Sequence, residues 1–264
     1  MPDRKPKLGQ NFLNDPQARQ RIVEALGDIS GSTVLEIGPG RGALTNLLAS
    51  RAHRLIAVEL DRALAPRLTE SWKHASHVRI LQQDIVELDL ATVAETPGET
   101  LVVVGNLPYY ITSDILLHLF SHAAHISRAV VMVQNEVADR LAAPCGVSAY
   151  GLLSATAQMH ARVEKLFVLP PEAFSPPPKV HSAVVRLDMH PRFEELHVER
   201  AAFLRFLQSC FQQKRKTLAN NLKSAGIAKS EKIAAAIEGA GLEPAVRAEA
   251  VSLPAMARLF RQVY

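Results

Sequence analysis

Residues 34–45 read VLEIGPGRGALT, and this stretch decides the fold. An apolar run ends at Ile37, three glycines follow at alternate positions (Gly38, Gly40, Gly42), and a helical pattern begins near residue 42. Strand, glycine turn and helix in that order open a βαβ unit. Glycine lacks a Cβ, so such a turn can be sharp and its backbone can come close to a ligand. The pattern alone leaves three readings open: a dinucleotide loop, a loop for a sulfonium nucleoside, and a plain turn.

The same alternation continues on both sides. Strands are expected near 33–37, 54–58, 78–81, 101–104 and 129–133, and helices near 15–27, 42–50, 62–72, 113–121 and 135–142. This predicts an α/β fold, a mostly parallel sheet with helices on both faces. A helix near 150–160 precedes strands at 162–168 and 182–187, joined by the proline-rich FSPPPKV and expected to pair antiparallel at the sheet edge. After about Met189 only helical patterns remain, at 199–213, 215–224, 230–239 and 253–262. The expectation is an α/β domain over 1–190 and a small all-helical domain over 191–264.

With 264 residues, 48% of them hydrophobic, the chain can bury a large core and is not a disordered protein. No apolar run is long enough to span a bilayer. The opening MPDRKPKLGQNFL has no apolar signal core. Two cysteines in unrelated contexts, Cys145 and Cys210, give no disulfide framework. These features predict a cytoplasmic protein with no membrane partner. Residues 191–264 carry twelve Lys/Arg against seven Glu, and Arg4, Lys5, Lys7, Arg19 and Arg21 make the N-terminus basic. Basic ends on a neutral-to-acidic body point to a polyanionic partner, against the plainer reading of a solvated surface.

Further groups suited to a ligand stand at the ends of the following strands. Glu59 follows LIAV about twenty positions after the glycines, where a carboxylate can accept from two ribose hydroxyls. Asp84 follows the third strand, where it can accept from an exocyclic amine of adenine. Glu36 precedes the glycines. This acidic setting suits S-adenosylmethionine (SAM), which has a sulfonium cation and no phosphate, better than a dinucleotide such as NAD.

The fourth strand runs into Asn106-Leu107-Pro108-Tyr109. The exocyclic nitrogen of adenine is a poor nucleophile because its lone pair is delocalised into the ring. Two acceptors aimed at its N–H groups, the Asn106 side-chain oxygen and the Leu107 carbonyl, would draw it toward tetrahedral geometry. Pro108 would stiffen the loop, and Tyr109 would stack on the base. The plainer reading is a proline turn with tyrosines packed as core.

Taken together, LGQNFL (8–13), LEIGPGRGALT (35–45), AVELD (57–61), QQDI (82–85), VGNLPYYITSDIL (104–115), FSPPPKVHSAVVRL (174–187) and QQKRKTLANNL (212–222) resemble the ribosomal RNA adenine N6-dimethyltransferases, in their small-subunit branch. The resemblance implies a SAM-dependent methyltransferase fold (Rossmann-like) with a helical C-terminal domain. It implies dimethylation of two adjacent adenosines in the 3′-terminal hairpin loop of small-subunit rRNA, in a 30S precursor, by a monomer. It places the cofactor site on Asn11, Leu13, Gly38, Gly40, Glu59, Asp84 and Asn106, and a second aromatic for the target adenine, opposite Tyr109, on Phe174. The chain departs from the family pattern in APCGVSAYG (143–151) and just after it. Ser148 and Leu152 stand where the family often has a lysine and an arginine, which bears on one RNA contact and not on catalysis.

Lys214, Arg215 and Lys216, with Asn220 in the same motif, are the RNA-binding candidates. The spacing puts the three cations at a helix start, where a phosphate would offset the unfavourable dipole. His118, His122 and His125 share a predicted helix, but there is no HExxH pattern and no metal is expected. Related alternatives are the large-subunit (23S) rRNA methyltransferase of the macrolide-resistance type and a ribosome-assembly factor with secondary methylation. A mitochondrial transcription-factor relative is disfavoured, and an NAD enzyme is the remote option.

Overall fold

The structure is a computed structural model that describes residues 11–94 and 98–264. Arg4, Lys5, Lys7 and the first part of LGQNFL lie outside the described residues. The chain forms β1 (Phe12–Leu13), α1 (Pro16–Glu24), β2 (Thr33–Ile37), α2 (Thr45–Ala49), β3 (Arg54–Glu59), α3 (Ala65–Trp72) and β4 (Val78–Gln82). Next come β5 (Leu101–Asn106), α4 (Thr112–Ser121), β6 (Ile126–Gln134), α5 (Asn135–Ala142), α6 (Leu152–His160), β7 (Ala161–Leu169), β8 (Phe174–Ser175) and β9 (Ser182–Met189). Four helices follow: α7 (Arg200–Cys210), α8 (Leu218–Ser224), α9 (Ser230–Gly239) and α10 (Leu253–Val263).

Seven strands form one sheet in the order β4-β3-β2-β5-β6-β9-β7. The pairs from β4 to β6 are parallel and β9 runs antiparallel to β6. Every residue of β2 is buried, as is β5 up to Gly105, which is why both read as continuous apolar runs. From β2 the chain proceeds outward through β3 and β4, then returns to place β5 on the other side of β2. The strand order therefore reverses between β2 and β5, and the crevice at their carboxyl ends is where α/β sheets bind ligands.

Two helix starts differ from the sequence expectation. Helix α2 begins at Thr45 rather than 42, because Gly42 has φ +80 and cannot continue an α-helix. Helix α8 begins at Leu218 rather than 215, with the Thr217 side chain capping the Asn220 N–H. Asp15 caps α1, accepting from the N–H groups of Gln17 and Ala18. Strands β1 and β8 form a separate antiparallel pair, Phe12 opposite Ser175 and Leu13 opposite Phe174, for which the sequence carries no signal.

The chain divides into two compact units. One holds the described residues up to Ala138 together with Glu164–Met189; the other holds Asp139–Val163 with His190–Tyr264. The second unit thus takes in a segment from before residue 190. Its core shows why: Tyr150, Ala155 and Met159 are buried in one cluster with Phe203, Phe206 and Phe260. Phe260 meets Phe203 and Phe206 edge-on at centroid distances of 5.3 and 5.5 Å. Each such buried ring contributes about 1.5–3 kcal/mol. Asn221 is buried in the same unit and fastens the 210–213 turn. Its Nδ2 donates to the carbonyls of Cys210 (2.8 Å) and Gln213 (3.2 Å), and its Oδ1 accepts from the Gln213 N–H (3.1 Å).

Candidate active site

At the carboxyl ends of β2, β3 and β5 lies a cavity of about 330 Å³. Asn11, Leu13, Gly38, Gly40, Glu59 and Asp84 line it, and so do Asn106, Leu107, Pro108 and Tyr109. Residues from five separate sequence segments therefore meet in one place.

The glycine loop supplies the floor. Gly40 has φ +60, and a Cβ there would come within 3.0 Å of the Phe12 ring. The Arg41 guanidinium sits over the same Phe12 ring, 4.4 Å from its centroid. Gly105 is equally constrained, since a Cβ on it would lie 2.6 Å from the Ile37 carbonyl oxygen. The close approach of β2 and β5 at the site thus depends on glycine.

Glu59 is 4% exposed. Its two oxygens accept from the Gly40 and Asp61 N–H groups, each at 2.9 Å, which fixes the carboxylate against the loop. Each carboxylate oxygen has a second lone pair for a further donor. Asp84 accepts from the Val86 N–H at 3.1 Å through one oxygen. Glu36, 2% exposed, accepts from the Thr45 hydroxyl at 2.7 Å. Burial pushes its carboxyl up to about 7, the Thr45 hydrogen bond opposes this, and the nearby Glu59 charge adds to it.

Asn106 ends β5, and its Nδ2 donates to the Asn11 carbonyl at 2.9 Å. That bond settles which way the amide faces, and its Oδ1 meets no protein donor among the described residues. The Leu107 N–H donates to the Met132 carbonyl at 3.0 Å, while the Leu107 carbonyl accepts from no backbone N–H among the described residues. The Pro108 carbonyl accepts from the Thr112 hydroxyl (2.9 Å) and the Ile111 N–H (3.2 Å), which ties the turn to the start of α4. Two neighbouring acceptors therefore remain open on a braced loop.

The structure does not bring every candidate to the cavity. Phe174 is 3% exposed and packs in the core cluster that contains Leu13 and Leu169; it is absent from the cavity lining. Lys214, Arg215, Lys216 and Asn220 are exposed on the second unit, the three cations in the turn before α8 rather than at its first helical positions. Lys214 Nζ donates to the Ser148 carbonyl at 2.8 Å, so the cationic turn touches the segment where the sequence departs from the family pattern. His118 Nε2 lies 2.9 Å from the Leu88 carbonyl oxygen, and Asp89, from outside the histidine helix, lies 3.4 Å from His122 Nε2.

Sequence reasoning missed two contributors. Tyr110 is 55% exposed and lines the cavity, and its phenol is pushed up by partial burial and then by the Asp84 and Glu59 charges. Its adjacency to Tyr109 was the available signal. Arg19 donates through Nε and Nη2 to the Leu13 carbonyl (3.1 and 2.7 Å), bracing the short strand that follows Asn11. A basic residue on a short helix gave no hint of that.

The model of the ribosomal RNA adenine dimethylase family matches residues 1–263. The chain belongs to this family. Similar relatives include a protein named ribosomal RNA small subunit methyltransferase A from Acidobacterium capsulatum, 59% identical, with 97% of this chain and 90% of that one covered. A protein of the same name from Koribacter versatilis is 52% identical, with 99% and 95% covered. Among solved structures, the 23S rRNA methyltransferase ErmE superposes with a TM-score of 0.72 at 28% identity, covering 96% of this chain and 99% of that one. A Plasmodium falciparum dimethyladenosine transferase superposes with a TM-score of 0.77 at 24% identity, covering 94% and 95%, and shows the shared fold. As a member of the dimethylase family, the chain is a SAM-dependent rRNA adenine dimethyltransferase whose sheet and helices follow the methyltransferase plan. No helix among the described residues is long and apolar enough to cross a membrane.

Proposed function

We propose that this protein dimethylates N6 of two adjacent adenosines in the 3′-terminal hairpin loop of 16S rRNA, acting as a monomer on a 30S precursor. The names of the similar relatives support the small subunit over the large one: 59% identity to a small-subunit enzyme outweighs 28% to the 23S enzyme. The observation that carries the chemistry is the Asn106 amide, held by the Asn11 carbonyl with its oxygen left open beside the Leu107 carbonyl.

The cavity residues fit SAM. The lining presents Glu36, Glu59 and Asp84 around a loop that glycine allows to come close, a setting that favours a cation and hydroxyl donors over a pyrophosphate. Glu59 would take the ribose hydroxyls, Asp84 the exocyclic amine of the cofactor's adenine, and Gly38 and Gly40 would allow the backbone approach. Asn11 and Leu13 would close one side. SAM, when bound, supplies a methyl group activated by its sulfonium.

Asn106 Oδ1 and the Leu107 carbonyl accept the two N–H groups of the target amine and localise its lone pair. Pro108 keeps both acceptors fixed beforehand. Tyr109 offers the flat face on which the extruded base stacks. After transfer the nitrogen carries positive charge, becomes acidic and releases a proton to water, so no strong base is required. Lys214, Arg215, Lys216 and Asn220 serve the RNA backbone, making 191–264 the RNA-binding domain.

Incubation with isotopically labelled SAM and 30S precursor, followed by mass spectrometry of the rRNA, tests the proposal. Labelled N6,N6-dimethyladenosine at two neighbouring positions of the 16S hairpin is expected. Label in 23S rRNA, or on another atom, overturns it.

A further inference from the structure

The hydroxyl of Tyr109 lies 2.7 Å from the hydroxyl of Ser182. Ser182 is fully buried and opens β9, opposite Gln134 on β6. The preceding His181 carbonyl accepts from the Asn135 N–H at 2.9 Å, so the start of β9 is held by the backbone on both sides. A hydroxyl buried there needs a partner, and among the described residues its side-chain partner is the phenol of the tyrosine at the cavity wall.

We propose that Ser182 is a positioning residue for methyl transfer: it anchors the far end of Tyr109 so that the ring presents a fixed face to the extruded adenine. This rests on the proposed stacking role of Tyr109. The near end of the ring is already set by the turn at Pro108, whose carbonyl is held by Thr112 and Ile111. The hydroxyl fixes the other end. A phenol O–H prefers the plane of its ring, so one hydrogen bond biases both the direction of the side chain and the orientation of its face. A stacking surface set in advance does not lose rotational freedom when the base arrives. Ser182 touches neither substrate nor cofactor in this scheme.

The test uses Ser182→Ala, Tyr109→Phe, their double variant and Tyr109→Ala in the full chain. Single-turnover methyl transfer is measured alongside the fluorescence of a hairpin RNA carrying 2-aminopurine at the target position. Ser182→Ala and Tyr109→Phe are each expected to lower kcat/KM for RNA about three- to tenfold, the size of one hydrogen bond. The double variant should be no worse than either single, because both remove the same bond. Stacking quenches 2-aminopurine, so emission in the bound complex should rise in Ser182→Ala and rise further in Tyr109→Ala, while SAM affinity stays unchanged. A merely structural serine would alter melting temperature without this emission change or this non-additivity. Wild-type emission and turnover in Ser182→Ala, or multiplying losses in the double variant, overturn the positioning role. If Tyr109→Ala itself keeps wild-type transfer and quenching, the stacking reading falls, and this inference with it.

Discussion

Replacing Asn106 by alanine separates what this side chain does for the fold from what it does for the reaction. Among the described residues the Asn106 side chain makes one hydrogen bond, from Nδ2 to the Asn11 carbonyl at 2.9 Å. Losing one such bond costs about 1 kcal/mol. For a domain of this size that lowers the melting temperature by about 2–4 °C. The same change deletes the open amide oxygen. Removing one preorganised group aimed at charge that develops in the transition state costs about 3–4 kcal/mol, or roughly 10²–10³ in rate. The expected outcome is therefore a collapse in kcat with a small melting shift and a nearly unchanged KM for RNA. Labelled-methyl incorporation into 30S particles under single-turnover conditions, with a thermal melt of the same sample, measures both quantities. Asn106→Asp sharpens the test. It keeps an oxygen in place but has no donor for the Asn11 carbonyl, so it too should lose most activity. Turnover within threefold of wild type in a folded Asn106→Ala protein would refute the acceptor role, and full activity in Asn106→Asp would refute the orienting role of Asn11.

Three further outcomes are expected. Glu59→Gln should weaken SAM about 10- to 100-fold, the value of charge-assisted hydrogen bonds, and leave RNA affinity unchanged; equal losses in calorimetry with each ligand alone would point to misfolding instead. Changing Lys214, Arg215 and Lys216 together to alanine should weaken RNA binding and reduce the salt slope by about 2, and an unaltered slope would remove these residues from the phosphate contacts. The folded-state value of Glu36 is raised to about 7 from 4.5, so the stability it contributes is present below about pH 4.5 and is lost as pH rises through about 7. Relative to Glu36→Gln, the wild type should therefore lose about 2–3 kcal/mol between pH 5 and pH 8 in urea titrations, and a constant difference would contradict the burial argument.

The central strands of the main sheet were legible because a buried parallel strand shows itself as a short run of β-branched and aliphatic residues, as in Val34–Ile37 and Leu101–Val104. The strand-end groups Glu59, Asp84 and Asn106 were legible for the same reason: once the strands are placed, the residue after each run lands at the reversal of strand order. The β1–β8 pair was not legible. Two residues carry no periodicity, and their partners lie far away in sequence. That hidden pair determines where Asn11, Leu13 and Phe174 sit, which is why the sequence could put Phe174 on the target base while the structure buries it beside Leu13. Nor could the sequence show that residues 139–163 pack with the C-terminal helices, since the apolar face of α6 says that it is buried and not against what.

The short ribbon joining Phe12 to Ser175 also sets an order of events during synthesis. Its first half leaves the ribosome early, but its second half emerges only after six of the seven sheet strands have been made. Closing a loop of about 160 residues brings a large entropy cost that only a nearly finished sheet can offset. Until then the Asn11 carbonyl has no fixed position from which to turn the Asn106 amide. On the acceptor role proposed for Asn106, a copy truncated before Phe174 would lack this brace even with most of its sheet in place, and competence would arrive together with completion of the α/β scaffold.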